Sequence, residues 1–163
     1  MIDSNLQLDV LSEWRSIIGH AIVGFGELEL ITYKCLVHIP SDKIFETTSR
    51  LGFSQRIDLI LEILEARMPI SGYVSQFIGK LKRAKVLAST RNHIAHNPVM
   101  LNMFVHKTSG DVTLERSIAT IRGEKFIDLA SAKEFAAEVE DLASTMWLLV
   151  GKIAEEDPQR WVD

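Results

Sequence analysis

The sequence predicts an all-α protein: a small antiparallel bundle of about four main helices, with a β-hairpin or ribbon inserted between the last two. Three observations carry this. Apolar residues recur in alternating steps of three and four over most of the chain. Prolines stand where those runs stop. After Pro98 the period changes to two, then returns to helical spacing near residue 130. At 163 residues and 47% hydrophobic content, the chain has the size and core of one ordinary domain, 1–163, with a β excursion over about 99–127.

The first helix is predicted from about Leu6 to His38, with Leu11, Trp14, Ile18, Ala21, Phe25, Leu28, Thr32, Cys35 and Ile39 along one face. Gly19, Gly24 and Gly26 lie inside it and lower its propensity. Each permits either a kink or the close approach of a neighbour. Pro40 ends the run, and Ser41 to Ser49 reads as a short helix or turn. Ser54 is placed to cap the next helix, which turns Ile57, Ile60, Leu61 and Leu64 inward and ends at Met68-Pro69. A longer helix follows from about Ser71 to His96. Its stripe is Phe77, Leu81, Ala84, Ala88 and Ala95, with Leu87 and Ile94 flanking, and Pro98 supplies the stop.

Beyond it, Leu101, Met103 and Val105 alternate with Asn102, Phe104 and His106. Thr108-Ser109-Gly110-Asp111 is a turn, and Val112, Leu114, Arg116 and Ile118 mark a second strand. Arg122-Gly123-Glu124 can turn the chain again before Phe126 and Ile127. Ser131-Ala132-Lys133-Glu134 has capping-box spacing and opens a helix whose inner face is Phe135, Val139, Leu142, Met146, Leu149 and Ile153, closed by Asp157-Pro158.

The single cysteine, Cys35, excludes an intrachain disulfide, and its place on an apolar stripe marks it as a small buried hydrophobe. No basic segment precedes an apolar run at the start, and no apolar run reaches the roughly 20 residues that span a bilayer. The expectation is a soluble, cytoplasmic protein with no membrane partner. The net charge of −4 is unevenly distributed. Between Glu65 and Asp111 no acid occurs, while Arg67, Lys80, Lys82, Arg83, Lys85, Arg91 and Lys107 do; the remaining 11 basic and 22 acidic residues balance to −11. Such segregation creates local positive potential suited to a polyanion, or else a solvated basic face.

Within that segment lies Arg91-Asn92-His93-Ile94-Ala95-His96. Arginine offers a permanent forked charge for phosphate, and histidine exchanges protons near neutrality. Together they suffice to break a phosphodiester without metal. On a helix turning ~100° per residue, Arg91 falls about 40° to one side of Phe77, inside the apolar stripe, with Asn92 about 60° and His96 about 100° to the other. Arg91 must therefore be paired or point into a groove. It lies about 140° from His96. The two converge only if the arginine reaches around, if the last turn is distorted, or if a second copy completes the pair across a dimer, which is the arrangement favoured here. The structural alternative pairs Arg91 with an acid such as Glu27 or Glu29 and leaves His96 to cap the helix end. His93, His96 and His106 lack an acid or cysteine close by in sequence, so no metal site and no cofactor is expected.

This motif resembles the signature of the HEPN superfamily, an arginine followed four to six residues later by histidine, often with a polar residue directly after the arginine. Its position at the end of a long helix, after a helix bearing Glu27 and Glu29, is similar as well. The resemblance implies a metal-independent endoribonuclease, often a toxin or antiviral effector, acting as a homodimer with two motifs facing one cleft. His96 would then be general acid or base, Arg91 would stabilise the phosphorane, and Asn92 would orient phosphate or histidine. Lys80, Lys82, Arg83, Lys85 and His93 would bind the flanking RNA. An antitoxin or other protein partner also fits that setting. One toxin branch carries tyrosine two residues after the histidine; Pro98 stands there, so the chain is not placed in that branch. The β excursion is no part of the minimal domain, and some members serve only as binding or dimerisation modules.

Overall fold

A computed structural model describes residues 4–39, 48, 50–67, 71–120 and 125–156. Among these are four helices, α1 (Ser4–His38), α2 (Phe53–Arg67), α3 (Gly72–His96) and α4 (Leu129–Glu156). Strands β1 (Val99–Val105), β2 (Val112–Ala119) and β3 (Phe126–Ile127) lie between the last two helices. Of the predicted segment 41–49 only Thr48 is described, and the stops at Pro40, 68–69 and 157–158 and the turn at 122–124 lie outside the described residues. None of the described helices is long and apolar enough to cross a membrane.

The helices pack α1 on α4, α4 on α3, and α3 on α2, with α1 also touching α2 and α3. Burial drives this, because each helix has one apolar stripe to remove from water. Trp14, Phe25, Leu28 and Ile31 of α1, Ile57, Ile60 and Leu64 of α2, and Phe77 and Leu81 of α3 are all at most 1% exposed. All six predicted inner residues of α4 are buried. Cys35 is fully buried, and loss of hydration pushes its thiol up to about 12, which leaves it a packing residue.

Gly24 alone among the three glycines of α1 sits at a close approach. A Cβ there would lie 3.1 Å from Val139 Cγ1 on α4, whereas Gly19 and Gly26 face open space. The helix itself runs unbroken through all three. Gly26→Ala is therefore expected to stabilise the fold by about 0.5–1 kcal/mol through helix propensity. Gly24→Ala gains the same propensity, but Val139 must give way at an overpacking cost of about 1–3 kcal/mol, so its net effect is expected to be destabilising. Urea melts of the two variants check the difference in sign.

Two helix starts differ from the sequence expectation. Ser54 lies inside the first turn of α2, which begins on Gly52: Arg56 N–H donates to the Gly52 carbonyl (2.9 Å), and Gln55 Oε1 accepts from Gly52 N–H (3.0 Å). The glutamine reaching back supplies half of a capping box, so no serine is needed at the cap. Likewise α4 starts at Leu129, because the Asp128 carboxylate accepts the Ser131 N–H at 2.7 Å. A carboxylate at a helix N-terminus is favoured over a hydroxyl by the helix dipole, and this bond holds the Asp128 carboxyl below its usual range. The start near Ser71 agrees with the sequence, and Ser71 itself caps α3, accepting from Val74 N–H.

The sheet has order β1-β2-β3 and is antiparallel throughout. Val99 pairs with Ile118 and Val105 with Val112, while Ile118 pairs with Ile127 on the other side. The hairpin closes over 106–111, where Gly110 adopts φ +75°, a conformation costly for residues with a Cβ. Ile118 and Ile127 join the helical core, but the far half of the hairpin is exposed on both faces.

Candidate functional site

The site forms where the C-terminal half of α3 passes the middle of α1 and the start of α2. Glu29 of α1 holds the centre. Its carboxylate lies 3.7 Å from Arg91 Nη2 and 4.0 Å from Arg56 Nη2, so one acid stands between two guanidiniums. The expected alternative acid, Glu27, is not the partner among the described contacts. Arg91 also donates from Nη1 to Asn92 Oδ1 (3.2 Å) and lies 5.7 Å from the Phe25 ring. Its Nε is out of solvent and has no hydrogen-bond partner among the described residues. A buried N–H of a cation left unbonded is costly, so Arg91 is less fully satisfied than a buried arginine usually is.

Arg56 is only 3% exposed and is held on every side. It donates from Nε to Thr32 Oγ1 (3.0 Å) and from Nη1 to the Tyr33 hydroxyl (3.0 Å) and the Leu51 carbonyl (2.6 Å). Its guanidinium sits 3.9 Å from the centre of the Tyr33 ring, a cation–π contact in a dry setting. Thr32 in turn donates to the Glu29 carbonyl, tying the arginine to the turn of α1 that carries the acid. Sequence reasoning missed Arg56. The signal was present: Arg56 precedes Ile60 and Leu64 by four and eight residues, inside the apolar stripe of its helix, as Arg91 is in its own.

Between these elements opens a cleft of about 340 Å³. Phe25 and Glu29, the turn Gly52–Gln55, and Ala88, Arg91 and Asn92 line it. The N-terminal turn of α2 forms one wall, and helix N-termini attract anions through their unpaired N–H groups. The lining thus holds one guanidinium, one carboxylate and a helix N-terminus, while Arg56 is buried behind the acid. Arg91, with its side chain 29% exposed, is the cation that solvent reaches.

His96 is exposed at the last position of α3. The helix is regular to that point, and Asn97 leaves it in extended conformation (φ −122°, ψ 145°), as the residue before a proline prefers. No distorted turn carries the histidine toward the arginine. Arg91 reaches Glu29 and Asn92, and no described contact joins it to His96.

No family model, curated protein or solved structure matches this chain. The residues of the site must therefore speak for themselves.

His93, expected among the RNA-binding residues, is turned inward at 8% exposure. Asn97 donates from Nδ2 to the His93 carbonyl (2.8 Å) and approaches its Nδ1 (3.5 Å). Along most of α3 the inner face centres on Phe77 and Leu81, but at its end His93 and Ile94 are buried and Ala95 is exposed, so the buried face has turned about the helix axis.

The lysine-rich stretch does not form one patch. Lys80 and Arg83 lie on one flank of α3 and Lys82 and Lys85 on the other, roughly 160–200° away for the two pairs taken in order. Arg83 grips Glu138 of α4 with both arms (2.6 and 2.8 Å), which holds that carboxyl low and the guanidinium's own pKa high. Lys85 bonds both oxygens of Asp58 on α2. The segment free of acids in sequence thus receives acids from three other helices. These exposed pairs contribute little to stability, and they yield readily to a competing anion. Lys82 is exposed and has no partner among the described residues.

Proposed function

We propose that the chain is a metal-independent endoribonuclease of HEPN type, a toxin or an antiviral or stress effector, acting at a composite site formed by two copies. The observation that carries this reading is the placement of Arg91 and Asn92 side by side on one cleft, with the Arg91 guanidinium partly open to solvent. The exposed His96 follows at the end of the same helix. Because the two residues lie on different sides of one helix, a second copy supplies the histidine that meets each arginine.

The chemistry follows from the groups. His96 takes the proton of the RNA 2′-hydroxyl, and the freed oxygen attacks the adjacent phosphorus. Arg91 stabilises the charge that builds on the non-bridging oxygens, where a preformed cation is most effective. The bond from phosphorus to the 5′-oxygen breaks, and that oxygen receives a proton. The products are a 2′,3′-cyclic phosphate and a 5′-hydroxyl. Lys82, and Lys80 on the other flank, would touch the RNA backbone through salt-sensitive contacts. Single- and double-stranded RNAs incubated with the protein in EDTA at neutral pH should be cut to products with these ends. Intact RNA under those conditions would sink the reading.

A second reading is favoured by the Arg91–Glu29 pair and by the occupation of Arg83 and Lys85. In it the same residues are structural, and the chain is a non-catalytic helical interaction or dimerisation module, bound to an antitoxin or another protein. It requires Arg91→Ala to unfold or dissociate the protein.

A further inference from the structure

We infer that β1 is a self-association edge, through which a second copy of this chain pairs antiparallel across a two-fold axis at Asn102. This goes beyond the ribonuclease reading and does not rest on it. In the order β1-β2-β3, β1 is an outer strand. Its residues Val-Met-Leu-Asn-Met-Phe-Val include no charge and no proline, and neither bulge nor helix guards its edge among the described residues. Proteins that stay monomeric blunt such edges with charge, proline or a bulge. Leu101 (54%), Met103 (65%) and Val105 (57%) stand exposed on one face, continued by Val112 and Leu114 of β2. Met100 and Phe104 are exposed on the other.

The backbone fixes which groups face outward. His106 N–H donates to the Asp111 carbonyl, and Ala119 N–H donates to the Pro98 carbonyl. Alternation along an antiparallel ladder then directs the even residues of β1 toward β2. Val99, Leu101, Met103 and Val105 therefore direct their N–H and C=O groups to the open edge.

The sequence of β1 is a chemical palindrome about Asn102. An antiparallel partner centred there sets Val99 against Val105, Leu101 against Met103, and Met100 against Phe104 of the second copy, each twice by symmetry, with the two Asn102 residues facing each other on the axis. Every apolar side chain meets an apolar one, and the one polar residue meets itself. The outward-facing residues meet one another in this register, so about eight backbone hydrogen bonds form. A self-complementary patch is what a two-fold interface requires, and a partner of other sequence would have no charge here to recognise. Pairing over this strand buries on the order of 1,000 Å² in total, the lower end for specific interfaces, so a dimer with micromolar dissociation constant is expected. The two His96 residues would stand roughly 40 Å apart along the joined strands. This interface is thus separate from the one that would bring two Arg/His motifs together.

The test uses the intact chain at tens of micromolar. Because the native thiol of Cys35 is buried, Asn102→Cys would present the one accessible thiol. Two such cysteines on the axis have Cα atoms about 4.5 Å apart, within disulfide reach. With glutathione disulfide as oxidant, Asn102→Cys should convert largely to a covalent dimer, while Thr113→Cys, exposed on β2 away from the axis, should not. In sedimentation of the uncrosslinked chain, Met103→Lys should weaken association at least tenfold without loss of helical circular dichroism. Equal crosslinking of the two cysteine variants, or a Met103→Lys chain that associates like wild type, would overturn the inference and leave a dimer through the motif untouched. A wild-type chain that stays monomeric would overturn both.

Discussion

His96→Ala is expected to lower RNA cleavage by 10²- to 10⁴-fold, the usual contribution of a positioned acid or base. The fold should be unaffected, because His96 is exposed at a helix end and holds nothing in place among the described residues. Single-turnover cleavage of a labelled RNA in EDTA, beside a thermal melt, checks both halves. Arg91→Ala should lose cleavage on the scale of one oxyanion-stabilising donor, roughly 10²- to 10³-fold. Equal cleavage by His96→Ala and wild type would remove the histidine from the chemistry.

Arg56→Met is expected to destabilise the protein by about 3 kcal/mol. Arg56 is nearly fully buried, and its removal takes four donated or ring contacts out of the core: those to the Thr32 hydroxyl, the Tyr33 hydroxyl, the Leu51 carbonyl and the Tyr33 ring. It also leaves Glu29 with Arg91 alone; since Glu29 is partly exposed, water offsets part of that cost. For a chain of this length the loss corresponds to a melting temperature lower by roughly 6–12 °C. Arg91→Met should cost no more than about 1 kcal/mol, as its carboxylate contact is long and part of the side chain is in solvent. The contrast separates two arginines that share one acid: Arg56 maintains the fold, and Arg91 faces the cleft. Similar melting losses for both would favour the interaction-module reading.

Much of the fold was legible because burial follows period. The stripes of α1, α2 and α4 and the alternation of the hairpin were visible as spacing, and Gly110 was visible as a turn residue. Helix starts were less so, because Gly52 and Asp128 compete with nearby serines, and only geometry decides which group the backbone meets. The end of α3 differs at His93 and Ala95, because a helix period extrapolates one buried face along the whole helix and here that face rotates over the last two turns. For the site, the angle of Arg91 on its helix foretold that it must be paired or grooved, and it is both. Charge was the least legible property. Lys80 to Lys85 look like a basic tract when read along the chain, but Glu138 and Asp58 reach them from α4 and α2, and no local window contains those acids.

If Arg91 and His96 act on one phosphodiester only when supplied by two copies, two inactive variants should restore each other when mixed. Arg91→Ala and His96→Ala chains, unfolded together and refolded, form mixed dimers in which one of two sites carries both intact residues. Random assortment of a symmetric dimer predicts recovery of about a quarter of wild-type cleavage. A mixture as inactive as either variant alone, beside an active wild type treated in the same way, would mean that no site is shared between copies.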